Sequence, residues 1–277
     1  MSREYERIKR CHAYVRTVTD FVPKVGLILG SGLGGYAKNM EVVCEIPYGD
    51  IPDFPVSTVQ GHDGRFLLGY VGKTPAMVMK GRVHYYEGYP MEDVVLPVRL
   101  MKLMGIEALF LTNAAGGINR GFTTGDFMMI TDQISNFVPS PLIGENIAEL
   151  GDRFPDMTHI YDEQFKALIV QTAKEEGISL KSGIYVQASG PNFESPAEIR
   201  MFASMGADAV GMSTACEALA ARHAGIRVCG VSCISNMASG IAAEELSHLD
   251  VQAVADKRSA EFECLVTKVI EKIYKGE

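Results

Sequence analysis

Arg82, His84, Tyr86 and Glu87 fall within one short stretch, KGRVHYYEGYP (residues 80–90), behind the apolar run PAMVMK. An arginine fork beside an imidazole suits the oxygens of a phosphate group. Glu87 is placed to orient His84 from behind. If the chain stays extended through 81–86, Arg82, His84 and Tyr86 project on one face and Val83, Tyr85 and Glu87 on the other. An exposed polar loop is the competing reading, but so convergent a set is unusual on an otherwise apolar strand.

Other segments offer matching anion chemistry. GSGLGG (30–35) follows the apolar run VGLIL and exposes backbone N–H groups together with the Ser31 hydroxyl. The same glycines match GxGxxG, with Asp50 twenty residues beyond Gly30. A dinucleotide fold nevertheless needs a crossover helix, and YAKNM is too short to supply one before the next strand. A plain tight turn competes for these glycines. LTNAAGGIN (111–119) runs into Asn113 and then into small residues that let a ligand approach backbone amides. An ordinary strand-to-loop turn fits it equally well. Ser213 sits at or near a helix start, where a hydroxyl and a helix N-terminus both favour an anion, or where it serves as a plain cap. His62, between glycines in GHDGR, reads by itself as a solvated loop histidine. The six histidines show no HxxxH spacing and no cysteine or carboxylate cluster beside them, so no metal site is expected.

A second kind of chemistry lies further along the chain. In SGPNFESPAEIR, Ser195 and Glu198 form an S-x-x-E capping pattern and Pro196 suits the first helical position. Phe193 and Glu194 are thereby held just before a helix, as an aromatic face and a carboxylate able to meet a flat heterocycle. Phe193 by itself fits core packing as well. SCISNMASG (232–240) ends a strand with Ser235 and Asn236, and an amide offers both a donor and an acceptor to a heterocycle's edge. His248 opens the last helix, and His223 reads as a surface histidine favourable to a helix C-terminus.

Short aliphatic runs at 25–29, 41–48, 64–71, 75–80, 107–113, 126–134, 182–189 and 226–235 read as strands. Amphipathic patterns predict helices over 2–18, 92–104, 162–176, 195–205, 214–224 and 247–274. The polar candidates therefore sit just past strand ends, where ligands of open α/β sheets gather. The run of strands over 41–80 predicts a mixed sheet. With 277 residues and no linker or repeat, one domain over 1–277 is expected. A net charge of −8 without a basic run argues against nucleic acid. No apolar stretch is long enough to span a membrane. Six cysteines without a CxxC pair, and no signal peptide, predict a cytoplasmic protein.

Taken in order, GSGLGG, GHDGRF, KGRVHYYEGYP, LTNAAGGIN, GDRFPDM, GPNFES, GADAVGMSTACEALAARHAGIRV and SNMASG closely resemble the trimeric, 6-oxopurine-specific purine nucleoside phosphorylases. The resemblance covers nearly the whole chain. It implies an α/β fold: a single domain with a distorted mixed β-sheet or barrel surrounded by helices. It implies that Ser31, Arg82, His84, Ser213 and the amide of Ala114 bind phosphate, with His62 as a gate. Tyr86, Met212 and His248 would meet the ribose, joined by Phe154 from a neighbouring subunit. Phe193, Glu194, Val210, Gly211, Ser235 and Asn236 would form the purine pocket, with Asn113 close by. Glu194, Asn236 and His84 would carry catalysis. The resemblance further implies reversible phosphorolysis of purine nucleosides, orthophosphate as co-substrate with no cofactor, and a homotrimer. Ser195 and Ser235 stand where threonine is common, and Leu249 follows His248 where an acidic residue is common.

Overall fold

The most apolar runs of the sequence become strands buried on both faces. The computed structural model describes residues 2–30, 33–58, 64–241 and 247–275. Its strands are β1 (Val25–Ile28), β2 (Glu41–Pro47), β3 (Arg65–Val71), β4 (Thr74–Lys80) and β5 (Ala108–Gly117), then β6 (Phe127–Ile134), β7 (Leu180–Gln187), β8 (Ala209–Gly211) and β9 (Arg227–Met237). Its helices are α1 (Arg3–Val18), α2 (Met91–Val94), α3 (Leu96–Met104), α4 (Glu163–Glu175), α5 (Pro196–Ser204), α6 (Ala215–His223) and α7 (His248–Lys275).

β1 lies between β4 and β5 and runs parallel to both. Beyond β4, the antiparallel strands β3 and β2 complete an open arm. On the other side the order runs β5-β8-β7-β6-β9, and β9 pairs back onto β5 in parallel. The strands from β5 to β9 thus close on themselves, and the expected distorted mixed barrel is what the chain forms. Period-2 alternation sorts the core into two layers. Ile28, Leu109 and Leu111 join the cluster that packs α1, α3 and α6. Leu27, Ala108 and Phe110 join the cluster that packs α4 and α7. Cys229 and Cys233, within the apolar run VCGVSC, are buried in this second layer.

Several local expectations change. The GxGxxG segment leads into a 3-10 turn (Gly34–Asn39) and then directly into β2, which lies antiparallel to β3. No crossover helix intervenes, in keeping with the rejection of a dinucleotide fold. The helix expected over 92–104 divides at Val95 into α2 and α3, with Pro97 in the first turn of α3. Proline lacks the N–H that would tie it into a preceding turn. Residues 85–87 form a 3-10 turn closed by Gly88 at φ 90°, so the predicted extended alternation does not hold there. β5 and β9 continue past the expected ends at 113 and 235, because each supplies the other's ladder partners as far as Gly117 and Met237. His223 is not on the surface. It is 7% exposed, its Nε2 lies 3.1 Å from the Asp152 carbonyl oxygen, and burial holds its pKa below the usual value.

Candidate active site

Gly81, at φ 103°, turns the chain out of β4 and delivers Arg82 into the interior. That guanidinium is 2% exposed, and its Nε donates to Glu217 Oε1 at 3.0 Å. Glu217 Oε2 accepts from the backbone N–H of Thr214 at 3.0 Å. Thr214 carries the next links of the chain. Its hydroxyl accepts from Asn113 Nδ2 at 2.9 Å and lies 3.1 Å from Ser213 Oγ. Asn113 Oδ1 is buried and meets no hydrogen-bond donor among the described residues.

The 3-10 turn at Tyr85–Glu87 brings residue i+3 back over residue i. Glu87 Oε1 therefore accepts from the backbone N–H of His84 at 2.7 Å and faces His84 Nδ1 at 3.1 Å. The brace foreseen for Glu87 exists, produced by a turn rather than by the far face of a strand. Burial tends to raise the Glu87 carboxyl. Hydrogen bonds from His84 and Thr58 more than offset it and bring the pKa down to about 2. Burial lowers the His84 pKa, which favours a neutral ring whose Nδ1–H is turned toward Glu87. Tyr86 stacks on the other side of His84. Met212 and Tyr86 both crowd Gly190, which has φ 64°. A Cβ at Gly190 would come within 2.4 Å of Met212 Sδ and 3.1 Å of Tyr86 Cδ1.

The opposite end of the site is less polar. The capping box ahead of α5 forms as its spacing predicts: Ser195 N–H donates to Glu198 Oε2 at 2.7 Å, and Glu198 N–H donates to Ser195 Oγ at 3.3 Å. It holds Glu194 at 8% exposure, where burial raises the carboxyl pKa. Asn236 is aimed by a β-bulge. Ala115 pairs with Ile234 and Gly116 with Asn236, so Ser235 is the extra residue of β9. The Ser235 hydroxyl donates to Asn236 Oδ1 at 3.0 Å, and Asn236 Nδ2 donates to the Met237 carbonyl at 3.3 Å. Gly211 at the end of β8 is required by its neighbour, since a Cβ there would fall 2.3 Å from Tyr185 Oη.

All of this surrounds one cavity of about 330 Å³. Arg82, His84, Ala114 and Ser213 line it, as do Tyr86 and Met212. Phe193, Glu194, Val210, Gly211, Ser235, Asn236 and Asn113 are also among its lining residues. Ser31 and His62 lie outside the described residues, as does the side chain of His248. Phe154 does not line the cavity; it is 90% exposed, with Arg153 stacked over its ring. Among the described residues no group of three or more histidine, cysteine or acidic side chains is arranged to hold a metal ion.

Sequence reasoning missed Glu217 and Tyr185. The T-x-x-E spacing of Thr214 and Glu217 is a capping signal of the same kind as that read at Ser195. Its pairing with Arg82, 135 residues away, leaves no local trace. Val251 of α7 also reaches the cavity without a motif to announce it.

Comparison with known proteins agrees with this geometry. Residues 24–271 match the family model described as the phosphorylase superfamily. The chain is 49% identical to purine nucleoside phosphorylase 1 of Bacillus subtilis, over 96% of its own length and 98% of that protein. It is 43% identical to the purine nucleoside phosphorylase of Bos taurus, over 84% of its length and 82% of that protein. The Schistosoma mansoni purine nucleoside phosphorylase solved with inosine superposes with a TM-score of 0.91 at 38% identity, covering 96% of each chain. The chain belongs to the phosphorylase superfamily and, within it, to the purine nucleoside phosphorylases.

Proposed function

We propose that this protein catalyses reversible phosphorolysis of purine (deoxy)ribonucleosides such as inosine and guanosine, yielding the free base and (deoxy)ribose 1-phosphate for salvage. One observation carries the reading. A single cavity joins an anion side, built from Arg82, His84 and Ser213, to a heterocycle side holding Glu194 and Asn236.

Orthophosphate held by the anion side, with Ser31 and the Ala114 amide completing its cradle and His62 as its gate, stands against the anomeric carbon. The glycosidic C–N bond lengthens toward an oxocarbenium-like state, phosphate oxygen attacks that carbon, and the base leaves with the bonding electrons. Glu194 and Asn236 hold the charge and proton of the departing base. Tyr86, Met212 and His248 seat the sugar. Rate enhancement comes from orientation and preorganised charge, without a covalent enzyme intermediate. Orthophosphate is the second substrate and no cofactor or metal takes part. The Asn236 amide selects 6-oxopurines, since it offers a donor to the 6-oxygen and an acceptor to a ring N–H.

The working enzyme is a homotrimer in the cytoplasm, each subunit lending Phe154 to its neighbour's sugar side. The exposure of the Phe154 ring supports that arrangement. No helix among the described residues is long and apolar enough to cross a membrane. The deciding experiment is inosine cleavage with and without orthophosphate. Base release that depends on phosphate and yields ribose 1-phosphate supports the reading; equal release without phosphate points to hydrolysis and overturns it.

A further inference from the structure

We infer that Glu217 is a positioning residue of the phosphate site, fixing Arg82 and the Ser213–Thr214 turn with one carboxylate and so setting affinity for phosphate rather than for nucleoside. The inference rests on the phosphorolysis reading.

The Arg82–Glu217 pair is 2% and 1% exposed. Removing two charges from water offsets much of their mutual attraction, and apolar replacements of such pairs are often neutral or stabilising. Stability is therefore a weak reason for an ion pair between the end of β4 and the first turn of α6. Geometry supplies a better one. The two oxygens of Glu217 are divided between two tasks, Oε1 toward Arg82 Nε and Oε2 toward Thr214 N–H, each at 3.0 Å.

Both tasks serve the anion side. Engaging Nε orients the planar guanidinium, whose terminal nitrogens make its ligand contacts. Thr214 has φ 78°, a conformation costly for a β-branched residue, which persists where its surroundings hold it. Glu217 is one restraint, through the Thr214 N–H. The others are the Asn113 amide on the Thr214 hydroxyl and the Tyr185 hydroxyl accepting from Ser213 N–H at 3.4 Å. In that conformation Ser213 faces the cavity. One buried carboxylate thus joins the Arg82 and Ser213 portions of the cradle and reaches Asn113 of β5 through Thr214. The base side, Phe193, Glu194 and Asn236, makes no hydrogen bond to Glu217.

Glu217→Gln conserves volume but replaces one acceptor oxygen with an NH₂ group, which must face either Arg82 Nε–H or Thr214 N–H. Glu217→Asp keeps the charge but is one methylene short of spanning both partners. Steady-state kinetics with inosine and orthophosphate test the inference in wild type and both variants. The expected result for Glu217→Gln is a phosphate KM raised about tenfold or more, the loss typical of one charge-assisted hydrogen bond. Inosine KM, and kcat at saturating phosphate, should stay within about threefold, the signature of lost ground-state binding to one substrate. Glu217→Asp should show the same split to a smaller degree. An unchanged phosphate KM in both variants overturns the inference, as does a parallel rise in both KM values with falling kcat. Failure of both variants to fold assigns Glu217 to folding and overturns it too. Absence of phosphate-dependent cleavage in wild type instead defeats the phosphorolysis reading itself.

Discussion

The imidazole of His84 lies against the ring of Tyr86, 4.7 Å between centroids and 15° between planes. One 3-10 turn produces this stack and also the Glu87 brace behind the imidazole. On the phosphorolysis reading, phosphate and sugar binding are therefore coupled, because the ring of His84 is packed on that of Tyr86. Tyr86→Ala should raise the KM for inosine and, by loosening His84, raise the phosphate KM as well, by roughly three- to tenfold each for a lost aromatic pair. Tyr86→Phe, which keeps the ring, should restore the phosphate KM. Kinetics with each substrate varied in turn checks both.

Buried neutral histidines make stability depend on acid in a defined direction. Burial lowers the pKa of His84 and His223. Below about pH 6.5 their unfolded counterparts bind protons that the folded forms resist, so stability is present above that pH and falls as pH drops through it. Urea unfolding between pH 8 and pH 5 should show this decline, and His84→Asn should flatten it. Glu87 acts lower on the scale. Its contribution is complete above pH 4.5, the usual carboxyl value, and is lost as pH falls toward about 2. Glu87→Gln should cost on the order of 2 kcal/mol at pH 7, with the difference from wild type shrinking across that acid window.

Glu194→Ala should lower kcat by about 10²-fold or more, the range seen when one preorganised polar group facing the developing charge is removed. Circular dichroism and Tm should remain near wild type, because the capping box at Ser195 and Glu198 does not use the Glu194 side chain. Wild-type turnover in this variant would remove Glu194 from the catalytic set.

Base selectivity should be set by a pair of residues. Asn236→Asp should shift preference from inosine toward adenosine, because a carboxylate accepts from a 6-amino group and repels a 6-oxygen. Ser235→Ala leaves Asn236 in place but removes the hydroxyl that donates to its Oδ1. Only the bond from Asn236 Nδ2 to the Met237 carbonyl then holds the amide, and the inosine-over-adenosine ratio of kcat/KM should fall about five- to tenfold, the worth of one hydrogen bond. Selectivity unchanged in both variants would place discrimination elsewhere.

The contact between Gly211 and Tyr185 predicts a compensating pair. Gly211→Ala forces a Cβ to within 2.3 Å of the Tyr185 hydroxyl and should destabilise by about 1–3 kcal/mol. Tyr185→Phe removes that oxygen, leaving Tyr185 Cζ at 3.1 Å as the nearest remaining ring atom. The double variant should be more stable than Gly211→Ala alone, which chemical denaturation in a double-mutant cycle measures.

Residue spacing alone determined the features that depend on near neighbours. The strands and amphipathic helices, the capping box at Ser195 and Glu198, and the rejection of a crossover helix after GSGLGG all rest on interactions spanning only a few residues. Segment order then carried the family resemblance, and with it most of the cavity lining. Tertiary structure decided what depends on distant partners. β5 and β9 extend past their expected ends because each is the other's ladder, and the bulge at Ser235 that aims Asn236 exists only in that pairing. His223 is buried rather than exposed, with its ring against the Asp152 carbonyl, 71 residues away in the chain. Arg82 finds Glu217 across 135 residues. Local pattern records which backbone each segment prefers, whereas a buried charge finds its partner only after the chain closes, when no water remains to take that partner's place.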